Sequence, residues 1–196
     1  MGALLSVRRA GIAWLLLLIA GTVPSAQTPA QRQQAAAPVS SPASRALNAG
    51  QYDEVERLLK SATDPTSVAV RARAQVAQGR YQEAQTLLTP VASAQPDSDA
   101  ALELGLLELY LGHRAEGIRR LRLLAARLSP RTARDYFRLA RAASALANFE
   151  DAQAFKEANS FFRDANKLAP DDVGINTAWG ELFLDKHNPA DAMKSF

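Results

Sequence analysis

A small residue followed one helical turn later by a bulky one recurs five times along this chain, at Val55/Leu59, Ala84/Leu88, Gly117/Leu121, Ala158/Phe162 and Ala192/Phe196. Residues four apart share one face of an α-helix, so each pair marks a helix with a site of close approach and a bulky residue beside it. The pairs begin 29, 33, 41 and 34 residues apart. A period of about 34 residues is that of a helix–turn–helix unit. Such a unit cannot bury its apolar face alone, and neighbours stack into a quasi-one-dimensional solenoid with a long concave face. The pattern predicts an all-α solenoid and points to a scaffold.

Composition agrees with helix. Apolar residues make up 47% of the 196 and charged residues 22%, which fits a globular chain. Alanine and leucine far outnumber valine, isoleucine and aromatic residues, so helix is favoured over strand. Val55, Leu58, Leu59 and Ala62 fall at i, i+3, i+4 and i+7, as do Ala84, Leu87, Leu88 and Val91, the stripe of an amphipathic helix. Asp64-Pro65, Ser129-Pro130 and Asn188-Pro189 each put a capping oxygen before a proline suited to the first helical position. Gly50, Gly79 and Gly112 stand where helices end and tight turns begin. These marks predict helices at about 43–49, 53–62, 65–78, 80–94, 98–111, 114–128, 130–147, 150–168, 173–186 and 189–196. Small residues at Ala72, Gly105, Ala140 and Gly180 recur on the first helix of each pair, where close helix–helix approach needs them.

On these residues the chain resembles the tetratricopeptide repeat family. Leu104-Gly105 and Trp179-Gly180 are similar to its aromatic-or-leucine followed by glycine, and Gly79 to Ala84 (GRYQEA) to its inter-helix turn. Ala158, Phe162, Ala165 and Pro170 are similar to its second-helix ending. The resemblance covers residues 45–196 in four to five units and implies a right-handed α-solenoid whose first helices line a concave, protein-binding groove. The first unit is short and proline-broken. The fourth carries about six or seven extra residues around Asp151 to Lys156, expected to lengthen its turn or second helix. The last stops at Phe196 without a closing proline or polar capping helix, which leads to the expectation of a fragment, against a natural end that frays or pairs.

Residues 1–26 are expected to be a signal peptide. Arg8 and Arg9 form a positive n-region, Ile12 to Ala20 an apolar h-region, and Val23-Pro24-Ser25-Ala26 a small-residue break. The apolar stretch of 14 residues from Ala10 to Val23 falls short of the ~20 that a spanning helix needs. The competing reading is an uncleaved anchor, the only membrane contact foreseen. Residues 27–44, with Pro29, Pro38 and Pro42 among small polar neighbours, read as a flexible linker. Localisation is expected to be exported, periplasmic or secreted, in a bacterium. Without Arg8 and Arg9 the formal charge of +3 falls to +1, so a basic balance is no argument for nucleic acid. Cysteine is absent, which removes disulfides, thiolate metal sites and cysteine nucleophiles.

No signature of catalysis emerges: no HExxH, no GxSxG and no phosphate-binding glycine loop. His113 and His187 fall in turns, and the acid pairs Asp97/Asp99 and Asp171/Asp172 fall at helix starts, where the helix dipole explains them. No catalytic residue, cofactor or metal site is therefore expected, and the chain is not expected to be an enzyme. One charged feature stands out. Nine arginines from Arg114 to Arg141 meet only Glu116 and Asp135, a net +7 over 28 residues. Arg131, Arg134, Arg138 and Arg141, spaced 3, 4 and 3, form one helical stripe. The stripe is either a solvated, salt-bridged face or a recogniser of carboxylates.

The resemblance implies that Arg134 and Arg141 face the groove. Arg134 and Arg138 would form the basic pair of a carboxylate clamp, although the preceding repeats offer Arg73 and Glu103 in place of its other residues. The candidate groove residues are Arg73, Leu106, Tyr110, Arg134, Arg138 and Arg141. Three functions stay open: a protein- or peptide-binding scaffold of the cell envelope, its partner carboxylate-bearing; the N-terminal array of a larger exported enzyme, such as a metallopeptidase; or an electrostatic module for an anionic polymer or lipid head group.

Overall fold

In the computed structural model, which describes residues 41–149 and 152–196, three helices start by one device. Ser41, Asp64 and Asn188 each accept the backbone N–H three residues on, and proline fills the next position. Ten helices are described: α1 Pro42–Asn48, α2 Tyr52–Leu59, α3 Pro65–Ala77, α4 Tyr81–Ala94, α5 Asp99–Tyr110, α6 Arg114–Arg127, α7 Ala133–Leu146, α8 Ala152–Leu168, α9 Val173–Leu184 and α10 Pro189–Ser195. The segment expected to be a signal peptide and the expected linker as far as residue 40 lie outside the described residues. The linker expected to reach residue 44 gives way to α1 at Pro42, because Ser41 caps that helix.

A second boundary differs from expectation. Ser129-Pro130 does not start α7. Thr132 does, accepting the Asp135 N–H while the Asp135 carboxylate accepts the Thr132 N–H. This reciprocal capping box satisfies two orphan donors, whereas proline after serine offers one. Gly50, Gly79 and Gly112 adopt φ of 71°, 75° and 84° and end α1, α3 and α5, as the sequence indicates. The extra residues of the fourth unit go at least partly into α8, which runs 17 residues against 14 in α4 and α6.

The helices pack in chain order. Every packed pair among the described residues lies one or two helices apart. First helices α1, α3, α5, α7 and α9 pack each on the next and on their own second helices. Three core clusters succeed one another along the array. Residues of the first four recurring pairs sit in them, Val55, Ala84, Leu88, Leu121, Ala158 and Phe162 all buried, and Ala192 of the fifth is buried as well. At Gly105 and Gly117 the helices α5 and α6 come so close that an added Cβ would clash. On Gly117 it would stand 2.9 Å from the Gly105 carbonyl oxygen, and on Gly105 it would stand 2.8 Å from Leu121 Cδ2. At the other end Phe196 lies over Gly180, yet remains 66% exposed, and Met193 is 78% exposed.

Candidate partner-binding groove

Three first helices present facing stripes of charge. On α5, Asp99 and Glu103 are one turn apart; on α7, Arg134, Arg138 and Arg141 follow at the same helical spacing; on α3, Thr66 and Arg73 lie two turns apart. Residues at such spacings share a face. Packing α3, α5 and α7 side by side therefore brings these groups into one groove, with Ser44, Val70, Leu102 and Phe137 supplying apolar and neutral lining.

The carboxylates of α5 hold the arginines of α7. Asp99 Oδ1 accepts from Arg138 Nε at 2.8 Å and Oδ2 from Arg134 Nε at 3.0 Å, while the Thr66 hydroxyl donates to Oδ2 at 2.7 Å. One carboxylate thus ties three successive first helices together. Arg138 also donates to the Asp97 carbonyl at 3.0 Å and lies 3.5 Å from Asp135. One turn on, Glu103 Oε1 accepts from Arg141 Nη1 at 2.5 Å, and Arg141 stands 5.9 Å over the Phe137 ring.

Titration follows from this arrangement. Burial alone would raise the Asp99 carboxyl, but the hydrogen bond and charge of Arg138, then the charge of Arg134 and the Thr66 hydroxyl, outweigh it and hold Asp99 below the usual carboxylate range. Burial would lower Arg141, but the charge and hydrogen bond of Glu103, with Asp99 and Glu181, raise it. Arg73 goes the other way. Shielding from water lowers it, the attraction of Glu103 falls short of compensating, and the like charge of Arg141 lowers it further. Its guanidinium approaches Glu103 Oε1 no nearer than 4.0 Å and its side chain is 45% exposed.

Four of the six candidate residues therefore meet: Arg73, Arg134, Arg138 and Arg141 line one groove. Leu106 and Tyr110 do not line it. Leu106 is half-buried against the central core, and Tyr110, 69% exposed, packs on Tyr81 with ring centroids 5.4 Å apart and hydroxyls 3.2 Å apart. The basic window is also less bare than its own sequence suggests. Asp99 and Glu103, outside the window, neutralise Arg134, Arg138 and Arg141, and buried Glu108 takes Arg120 in two bonds of 2.8 and 2.9 Å. Asp99 does stand in the first turn of α5, as the helix-dipole account requires, and it serves in addition as a counter-ion. Arg131 precedes α7 and so leaves the stripe expected of it. Sequence reasoning missed Asp99 and Thr66 as groove residues, although the i+4 spacing of Asp99 to Glu103 opposite a basic stripe was the available signal.

Residues 46–111 match the family model described as tetratricopeptide repeat. No curated protein matches the chain. Among solved structures it is similar to a thermophilic tetratricopeptide repeat protein of Thermus thermophilus, at 22% identity over 67% of this chain and 71% of that one, with a TM-score of 0.50. It is also similar to a chain of the APC/C hetero-tetramer Cut9–Hcn1, at 12% identity over 78% and 29%, again with a TM-score of 0.50. A third likeness is to MamA from Desulfovibrio magneticus RS-1, at 23% identity over 79% and 86%, with a TM-score of 0.41.

Proposed function

Because this chain is a tetratricopeptide repeat protein, we propose that it is a non-catalytic scaffold that holds a protein or peptide in the groove between α3, α5 and α7. The observation that carries this reading is the meeting of four guanidinium groups from two helices on one face, beside the apolar surface of Val70 and Phe137. Guanidinium forks favour carboxylates, and an extended chain supplies both acidic groups and apolar side chains. The carboxylates of the groove are committed to arginines, which removes them as proton acceptors for chemistry. His113 and His187 stand in separate exposed turns.

The location we propose is the bacterial cell envelope, on the strength of the n-region, the apolar run to Ala20 and the small-residue break before Gln27. N-terminal sequencing of the protein from a fractionated native host tests it. A mature end near Ala26 or Gln27 in the soluble envelope fraction is the expected result, and intact Met1 in the membrane fraction rejects cleavage.

Groove binding has its own test. A photoreactive side chain placed at Phe137, inside the groove, is compared with one at Ala126, exposed on α6. Irradiation in an envelope extract should attach one partner through position 137 and not through 126. Equal attachment at both, or none at 137, sinks the reading.

A further inference from the structure

The groove has more arginine than carboxylate, and the shortfall has an address. Arg73, Arg134, Arg138 and Arg141 line it against Asp99 and Glu103 alone, and Asp135 at the rim takes a share of Arg138. About one positive charge is left over. Arg134 and Arg138 are bonded to Asp99 at 3.0 and 2.8 Å, and Arg141 to Glu103 at 2.5 Å. Arg73 alone among the groove arginines is held no closer than 4.0 Å to any carboxylate among the described residues. Its one near carboxylate among the described residues is Glu103 Oε1, the same oxygen that Arg141 has taken.

Two guanidinium groups from α3 and α7 thus flank one carboxylate from α5. We propose that Glu103 is a resident counter-ion that occupies, between Arg73 and Arg141, the position a partner's carboxylate would take, so that it sets how strongly the groove accepts an acidic partner. This rests on the groove reading above and names the residue that limits it. The partner's carboxylate pairs with Arg73 first, because that cation is half-shielded from water and incompletely matched. It gains Arg141 only as Glu103 yields. Asp99 does not compete in the same way, since Thr66, Arg134 and Arg138 satisfy it from two sides. Glu181 of α9 adds a lesser attraction for Arg73 and Arg141 and does not replace the contact.

The physical consequence has a size as well as a sign. Removing any carboxylate near the groove favours an anion a little through the screened field, whereas removing a direct competitor frees the contact itself. Here, Glu103→Gln keeps an acceptor oxygen for Arg141 but withdraws the competing charge, so affinity for an acidic ligand rises. The same change should not raise affinity for a ligand whose carboxylate is blocked.

The probe is a pool of dye-labelled degenerate octapeptides built from neutral residues and carrying one free C-terminal carboxylate. It is compared with the same pool as C-terminal amides, and anisotropy is read at low salt. Wild type should prefer the carboxylate pool, Glu103→Gln should tighten that binding about tenfold, and Arg73→Ala should abolish the preference. Carboxylate-selective wild-type binding that Glu103→Gln leaves unchanged or weakens overturns the resident counter-ion while the groove reading stands. Absence of carboxylate preference in both wild type and Glu103→Gln overturns both. Should Glu103→Gln lose helix content, Glu103→Asp, which draws the charge back from Arg73, is held to the same outcomes.

Discussion

At the scale of single residues, Asp99 is the group on which most depends. It sits one turn from Glu103 on the middle helix of the groove and ties α3 and α7 to α5. Its folded-state pKa lies below the unfolded value of about 3.9. The pairing therefore stabilises fully above that value and is lost as pH falls through the lower folded-state pKa. Asp64 and Asp135, at the starts of α3 and α7, are lowered as well, so acid should loosen the array at more than one place. Asp99→Asn should cost about 2 kcal/mol at pH 7, because Arg138 is left poorly matched in a dry setting. It should also flatten the loss of stability between about pH 5 and pH 3. Urea denaturation at a series of pH values measures both. An unchanged acid slope would show that Asp99 is not among the groups that set it.

Elements are decided by caps and by close approach. Thr132 and Asp135 fix the start of α7 three residues beyond Pro130, so Thr132→Ala should cost about 1 kcal/mol, read from the urea midpoint. Glycine has two different roles here. Gly117 in α6 faces the Gly105 carbonyl oxygen and Leu109, whereas the atoms nearest a Cβ on Gly105 in α5 belong to side chains of α6, Leu121 first. A side chain can shift; a helix backbone packed on its neighbour cannot. Gly117→Ala should therefore destabilise by about 1–2 kcal/mol even after the gain in helix propensity. Gly105→Ala should cost less, and the reverse order would contradict the packing. Pro90, exposed within α4, illustrates the same logic from outside: the backbone it releases faces water rather than a neighbouring helix.

For the whole molecule, packing limited to near neighbours makes stability a sum of local interfaces. Residues 41–196 should show strong helical circular dichroism, with amide exchange slowest in α4 to α6, inside the largest core, and fastest in α1 and α10. Uniform protection from end to end would indicate a single cooperative core and contradict the linear arrangement. The groove belongs to this scale too. It exists only because three successive first helices each contribute one face to it, and a change in their stacking would part Arg73 from Glu103 and Arg141.

What the sequence determined by itself was everything that repeats or is local. The five small-and-bulky pairs announced the repeating helices and named buried residues in each, Leu59 and Phe196 excepted, because a side chain four positions on must lie on the same face. Glycine, proline and capping oxygens marked the turns for equally local reasons, and the start expected at Pro130 was misplaced because the cap at Thr132, which works together with Asp135, was not considered. The tertiary structure alone decided which charges meet. Arg134 and Arg138 pair with Asp99 across 35 and 39 residues, and Arg141 with Glu103 across 38. Each separation is about one repeat, but a one-dimensional charge count weighs neighbours in sequence. A stripe that looked bare within its own window is matched by the helix stacked beside it. Arg73, in a shorter basic window with Arg71 and Arg80, is the groove cation left with room.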